Sequence, residues 1–138
     1  MHFVELVAAL AVIQFLAFGA LTGRARRLSG LKAPAVTGHE GFECMYRVQM
    51  NTLECLVAFL PALFLAAKYW SPFFVAGLGF IYLIGRLIYW RAYVSNPEKR
   101  GIGFMLSIVP TILLAISSLA GVVLAISGVM ASQETHPK

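Results

Sequence analysis

Residues 104–129 read FMLSIVPTILLAISSLAGVVLAISGV, and no charged side chain interrupts them. A helix needs about 20 mostly apolar residues to cross the ~30 Å hydrocarbon core of a bilayer. This stretch meets that length unaided, and its polar groups are only serine and threonine hydroxyls. It therefore predicts a membrane-spanning helix.

Three further apolar spans lie upstream, at about 3–23, 46–69 and 73–94. The second and third have uncharged runs (55–67 and 73–85) too short to span alone. They reach full length only if the segments bearing Arg47 and Glu54, and Arg86 and Arg91, are helical as well. The first span has no basic residues ahead of it and no persuasive small-residue cleavage site, so it is expected to be retained, not removed as a secretory signal. The expected fold is an all-α integral membrane bundle of four transmembrane helices, one domain over 1–138. Composition agrees: 59% of residues are hydrophobic and 12% charged, against about 25% charged in soluble domains. The mean hydropathy is +0.80.

Charge supplies orientation. Arg24, Arg26, Arg27, Lys32 and Arg47 lie between spans one and two, and Arg91, Lys99 and Arg100 between spans three and four. The opposite side offers Lys68, Lys138 and the amino terminus. Lys and Arg in short loops favour the cytoplasmic face, so both termini are expected outside and both basic loops inside. The net charge of +5 is then a topology signal, and no nucleic-acid partner is expected. Cys44 and Cys55 fall on one expected helix about 16 Å apart by helical rise, too far for a disulfide. His2, His39 and His136 sit apart from them, so no metal is expected.

The chemistry concentrates where spans two and three carry charge, because ionisable groups in a membrane face the bundle interior or an aqueous cavity. Arg47, Asn51 and Glu54 follow the i, i+4, i+7 spacing and share one helix face. A cation, an amide and a carboxylate on one stripe match a zwitterion, the cation to a carboxylate and Glu54 to an ammonium. An internal Arg47–Glu54 contact that merely fixes packing is the equally weighted alternative. Gln49 points to roughly the opposite side. On span three, Arg86, Tyr89 and Tyr93 form a second stripe, although tyrosines also populate interfacial belts. In the turn Asn96-Pro97-Glu98, the asparagine suits a helix cap, the proline the first position and the glutamate the first turn. Arg100 then opens span four, where a positive-inside anchor is its plainest reading.

Residues 42–54, FECMYRVQMNTLE, carry the core Arg-x-Gln-x-Asn-x-x-Glu. With GRLIY at 85–89, Tyr93, and NPEKRG at 96–101, this run resembles the signature of the membrane-associated proteins in eicosanoid and glutathione metabolism, in particular their glutathione transferase branch. Arg26 and Arg27 after the first span match a paired arginine of that family. The resemblance covers nearly the whole chain. It implies a homotrimer of four-helix protomers with glutathione, as co-substrate, bound between subunits near the cytoplasmic face. Its implied glutathione contacts are Arg26, Arg47, Gln49, Asn51, Glu54, Arg86, Tyr89 and Tyr93. Its implied catalytic residues are Arg100, beside the glutathione thiolate, and Arg27, assisting from the neighbouring subunit. The implied activity is conjugation of glutathione to lipophilic electrophiles, with glutathione peroxidase activity alongside it. A non-enzymatic lipid-binding scaffold is the alternative that the same family offers, and a small transporter a weaker one. Two departures stand out: Cys44 where many relatives have arginine, and Cys55 where some have a tyrosine that touches glutathione.

Overall fold

The computed structural model describes the backbone of residues 1–134 and the side chains of residues 1–128. His136 and Lys138, placed above at the carboxyl-terminal end, lie outside the described residues. Four long helices follow one another: α1 (His2–Ser29), α2 (Glu40–Ala66), α3 (Pro72–Ser95) and α4 (Gly101–Glu134), with a 3₁₀ turn at Pro97–Arg100 before the last. Each is long and apolar enough to cross a membrane. The segments bearing Arg47, Glu54, Arg86 and Arg91 are helical throughout, as full-length second and third spans require.

The helix ends depart from the hydropathy boundaries, and local chemistry explains each departure. α1 continues beyond residue 23 to Ser29, so Arg24, Arg26 and Arg27 sit on a helix, with Arg26 and Arg27 in its last turn. Cations there oppose the partial negative charge of the helix end. Gly30 then ends α1 at φ 71°, a left-handed conformation that glycine adopts without a Cβ clash. α2 begins at Glu40, well before the expected 46. The His39 ring accepts a hydrogen bond from the Phe42 N–H at 3.4 Å, and Glu40 and Glu43 occupy the first turn. At its other end α2 stops at Ala66, so Tyr69 belongs to the turn and not to the helix. Pro72 opens α3 at a position where a missing N–H costs nothing.

The core is assembled where the helices cross. Val4 and Val7 of α1, Phe59 and Leu63 of α2, Val75 and Tyr82 of α3 and Leu114 of α4 are all fully buried. The Phe59 and Tyr82 rings stack with centroids 3.8 Å apart. α3 and α4 approach closely through glycine: a Cβ on Gly85 would lie 2.7 Å from the Leu106 carbonyl carbon, and one on Gly103 would overlap the Tyr89 backbone. Gly121 accommodates the Tyr69 side chain in the same way, so this small residue serves packing inside one protomer. Buried hydroxyls bond back to the helix, as Ser107 Oγ does to the Gly103 carbonyl (2.8 Å) and Thr111 Oγ1 to the Ser107 carbonyl (2.9 Å). Away from water, such bonding keeps these hydroxyls satisfied. Val57, Phe73, Ile102 and Leu119 point outward. The bundle is thus apolar on its outside, and most of its charges collect at the end where α1, α2, α3 and α4 meet the two basic connections.

Candidate functional site

At that end, Arg47, Asn51 and Glu54 of α2 face Tyr89 and Tyr93 of α3 and Arg100 of the 3₁₀ turn across a half-open cleft of about 320 Å³. The stripe spacing of α2 brings its three groups together because each lies about one turn from the next. Arg100 reaches the cleft through the turn before α4. Asn96 Oδ1 accepts from the Glu98 N–H at 3.1 Å, Pro97 occupies the first position, and Arg100 Nη1 donates to the Pro97 carbonyl at 2.9 Å. Its guanidinium carbon then lies 5.4 Å from the Tyr93 ring centre. Gly103 lets this corner sit directly against Tyr89.

Arg86 stands behind the cleft, not in its lining. Its side chain is fully buried and its guanidinium lies 4.3 Å from the Tyr89 ring centre. Nη1 donates to Asn51 Oδ1 at 3.1 Å and Nη2 to Thr52 Oγ1 at 2.7 Å, with Cys55 Sγ 3.8 Å from Nη1. A guanidinium only donates, so this contact fixes the orientation of the Asn51 amide: oxygen toward Arg86, nitrogen toward the cleft. Asn51 Nδ2 accordingly donates to Glu54 Oε2 at 3.4 Å. Among the described residues no carboxylate pairs with Arg86 or with Arg47. The Arg47–Glu54 packing contact is therefore not formed, and Arg47 and Glu54 both stay exposed. Among the described residues Arg86 Nε and Tyr82 Oη have no hydrogen-bond partner.

The other expected site residues lie elsewhere in the protomer. Gln49 faces α1, where its Nε2 would meet a Cβ on Gly19 at 3.2 Å. Arg26 donates to the Ala35 carbonyl at 2.7 Å and sits 4.4 Å above the Phe42 ring. Arg27 is exposed near the end of α1. None of the three lines the cleft. Thr52 was not foreseen as part of the site. Its signal was available: it is the polar member of the buried row Val48, Thr52, Cys55, Phe59, and a buried hydroxyl in such a row calls for a partner.

A helical membrane bundle with a cation-rich polar cleft at one end is the class that this fold and site define. Comparison with known proteins makes it specific. The MAPEG family matches residues 4–120. An uncharacterized protein of Synechocystis sp. is 42% identical over 117 residues, 85% of each chain. Microsomal glutathione S-transferase 2 of Mus musculus is 39% identical over 100 residues, 72% of this chain and 68% of the mouse protein. Leukotriene C4 synthase of Cavia porcellus is 36% identical over 77 residues, 56% of this chain and 51% of the synthase. The chain belongs to the MAPEG family and is an integral membrane protein, as the run at 42–54 led one to expect.

Proposed function

We propose that this protein is a membrane-bound glutathione transferase that conjugates glutathione to hydrophobic electrophiles. The observation that carries the proposal is the inventory of the cleft: two guanidiniums (Arg47, Arg100), one carboxylate (Glu54), one oriented amide (Asn51) and two phenols (Tyr89, Tyr93). Glutathione carries two carboxylates, one ammonium and a thiol, so cations in excess with a single carboxylate are its complement. A volume near 320 Å³ suits one small ligand. The glutathione transferase names among the relatives support the same reading.

The chemistry follows from the thiol. A free thiol with a pKa near ~8.5 is mostly protonated at neutral pH, and the thiolate is the nucleophile. Arg100 beside the sulfur favours the ionised form by opposite-charge stabilisation, and each pKa unit corresponds to about 1.4 kcal/mol. The thiolate attacks the electrophile, the carbon–sulfur bond forms, and the leaving group or the developing carbanion takes the charge. The same thiolate reduces an organic hydroperoxide when a second glutathione completes the disulfide, releasing an alcohol and water. The lipophilic partner reaches the sulfur from the bilayer. Arg26, Arg27 and Gln49 lie outside their own protomer's cleft, so in the proposed homotrimer they serve the cleft of a neighbour. The basic end of the bundle faces the cytoplasm and both termini lie outside, following the distribution of Lys and Arg.

The test is turnover of glutathione with 1-chloro-2,4-dinitrobenzene by the purified protein, beside Arg100→Ala. Wild type should conjugate, and the variant should bind glutathione yet conjugate slowly. Glutathione binding by wild type with no turnover would overturn the transferase reading and leave the non-enzymatic scaffold.

A further inference from the structure

On a different face of α3 from the cleft, α1 and α3 run side by side in the same direction. The Phe18 and Trp90 rings meet at 5.7 Å and set the two helices in register. Between the helices lies an apolar groove of about 410 Å³, floored by α1 from Leu10 to Leu21 and by α3 from Leu83 to Trp90. It continues past Leu87, which it shares with a second shallow cavity of about 490 Å³ that reaches Arg91 and Ser95.

Both stripes that line the groove end in an arginine at the same end of the bundle. Arg24 continues the α1 stripe three residues after Leu21, and Arg91 continues the α3 stripe four residues after Leu87. Both are exposed, and among the described residues neither is in an ion pair. Arg91 lies 5.8 Å from the Trp90 ring centre. Neither arginine lines the glutathione cleft. From Leu10 to Leu21 the groove is about 16 Å long at the helical rise, about half of the ~30 Å hydrocarbon core. Its length is that of one leaflet, its walls are apolar apart from Gln14, whose Nε2 donates to the Leu83 carbonyl at 3.0 Å, and each of its two helices carries an exposed arginine beyond its basic end.

We propose that this groove is a binding site for an anionic phospholipid of the leaflet at the basic end, with an acyl chain along α1 and α3 and the phosphate between Arg24 and Arg91. Arg offers a planar fork of donors that suits phosphate oxygens, and basic residues at that depth draw anionic headgroups. The site is separate from the proposed transferase chemistry and does not depend on it.

Trp90 is the reporter. The chain has two tryptophans, and Trp70 lies at the other end of α3 in the α2–α3 turn, so Trp70→Phe leaves Trp90 alone. The full-length variant would be placed in phosphatidylcholine vesicles holding a low mole fraction of bromine-labelled phosphatidylglycerol or, in parallel, bromine-labelled phosphatidylcholine. The anionic probe should quench Trp90 more strongly, and Arg24→Gln and Arg91→Gln should each lower the preference about fivefold. Equal quenching by the two probes would overturn the proposal. So would a preference that survives the double substitution, or an absence of quenching by either probe, as expected if a second copy of the chain covers the groove. Trp70 donates to the Ser117 carbonyl at 2.8 Å. Should its replacement prevent folding, native mass spectrometry on the protein with both tryptophans decides: retained phosphatidylglycerol in excess over phosphatidylcholine, lost in Arg24→Gln/Arg91→Gln, is the expected result. Equal retention of the two lipids, or no loss in the double variant, contradicts the site.

Discussion

The guanidinium of Arg86 is enclosed by neutral groups: an amide, a hydroxyl, a thiol and the face of Tyr89. Removing a buried charge of this kind need not unfold a protein, but it frees the Asn51 amide to turn. Arg86→Met should therefore keep the bundle folded while weakening glutathione binding by about 1–2 kcal/mol, the range of a lost oriented hydrogen bond. Calorimetric titration beside a thermal melt separates the two effects. Arg100 predicts a different signature. On the proposed mechanism its charge lowers the thiol pKa, so the pH–rate profile of wild type should rise at lower pH than that of Arg100→Ala. The deficit should be roughly tenfold per pKa unit at neutral pH and should disappear once both thiols are ionised. At this scale the sequence was informative about direction and silent about depth. The stripe Arg47, Asn51, Glu54 was legible because helical spacing alone makes it. The stripe Arg86, Tyr89, Tyr93 was equally visible, yet only Tyr89 and Tyr93 line the cleft. What covers Arg86 is Thr52 and Cys55 of another helix, and no spacing within α3 reports that.

Among the elements, the α3–α4 corner governs the site most directly. Gly103 lies against the backbone of Tyr89 and Gly85 against that of Leu106, so the 3₁₀ turn carrying Arg100 is held by backbone contact. Gly103→Ala should push the start of α4 outward, lower stability by about 1–3 kcal/mol, as overpacking does, and reduce conjugation. Gly77→Ala is the control. A Cβ there meets nothing within 4 Å, and alanine should stabilise the helix by up to about 1 kcal/mol. Thermal unfolding in detergent distinguishes the pair. Helix existence was legible from hydropathy, whereas helix ends were not. The first turn of α2 and the last turns of α1 are charged, and they are helical because His39, Glu40, Arg26, Arg27 and Gly30 satisfy or terminate the backbone there.

If clefts are completed across subunits, a chain lacking Arg100 and a chain lacking Gln49 and Arg27 should each be inactive as homo-oligomers. Co-assembled, about a quarter of the clefts would combine two intact contributions by chance assortment. Conjugation by doubly tagged hetero-oligomers measures this, and no recovery would place the complete site within one protomer. Family membership was legible from the run at 42–54 because its polar residues break an otherwise apolar code at fixed positions. Subunit arrangement was not, since Gln49 facing α1 is compatible with structure inside a protomer as well as with service to a neighbour.

The outward-facing apolar surface, with Ile102 two residues beyond Arg100, carries a kinetic consequence. A lipophilic reactant dissolves in the bilayer, so the proposed reaction responds to its mole fraction among lipids rather than to its bulk concentration. Adding inert lipid at constant total reactant would slow turnover although nothing in the aqueous phase has changed. The catalyst then operates as a two-dimensional one for the electrophile and a three-dimensional one for glutathione.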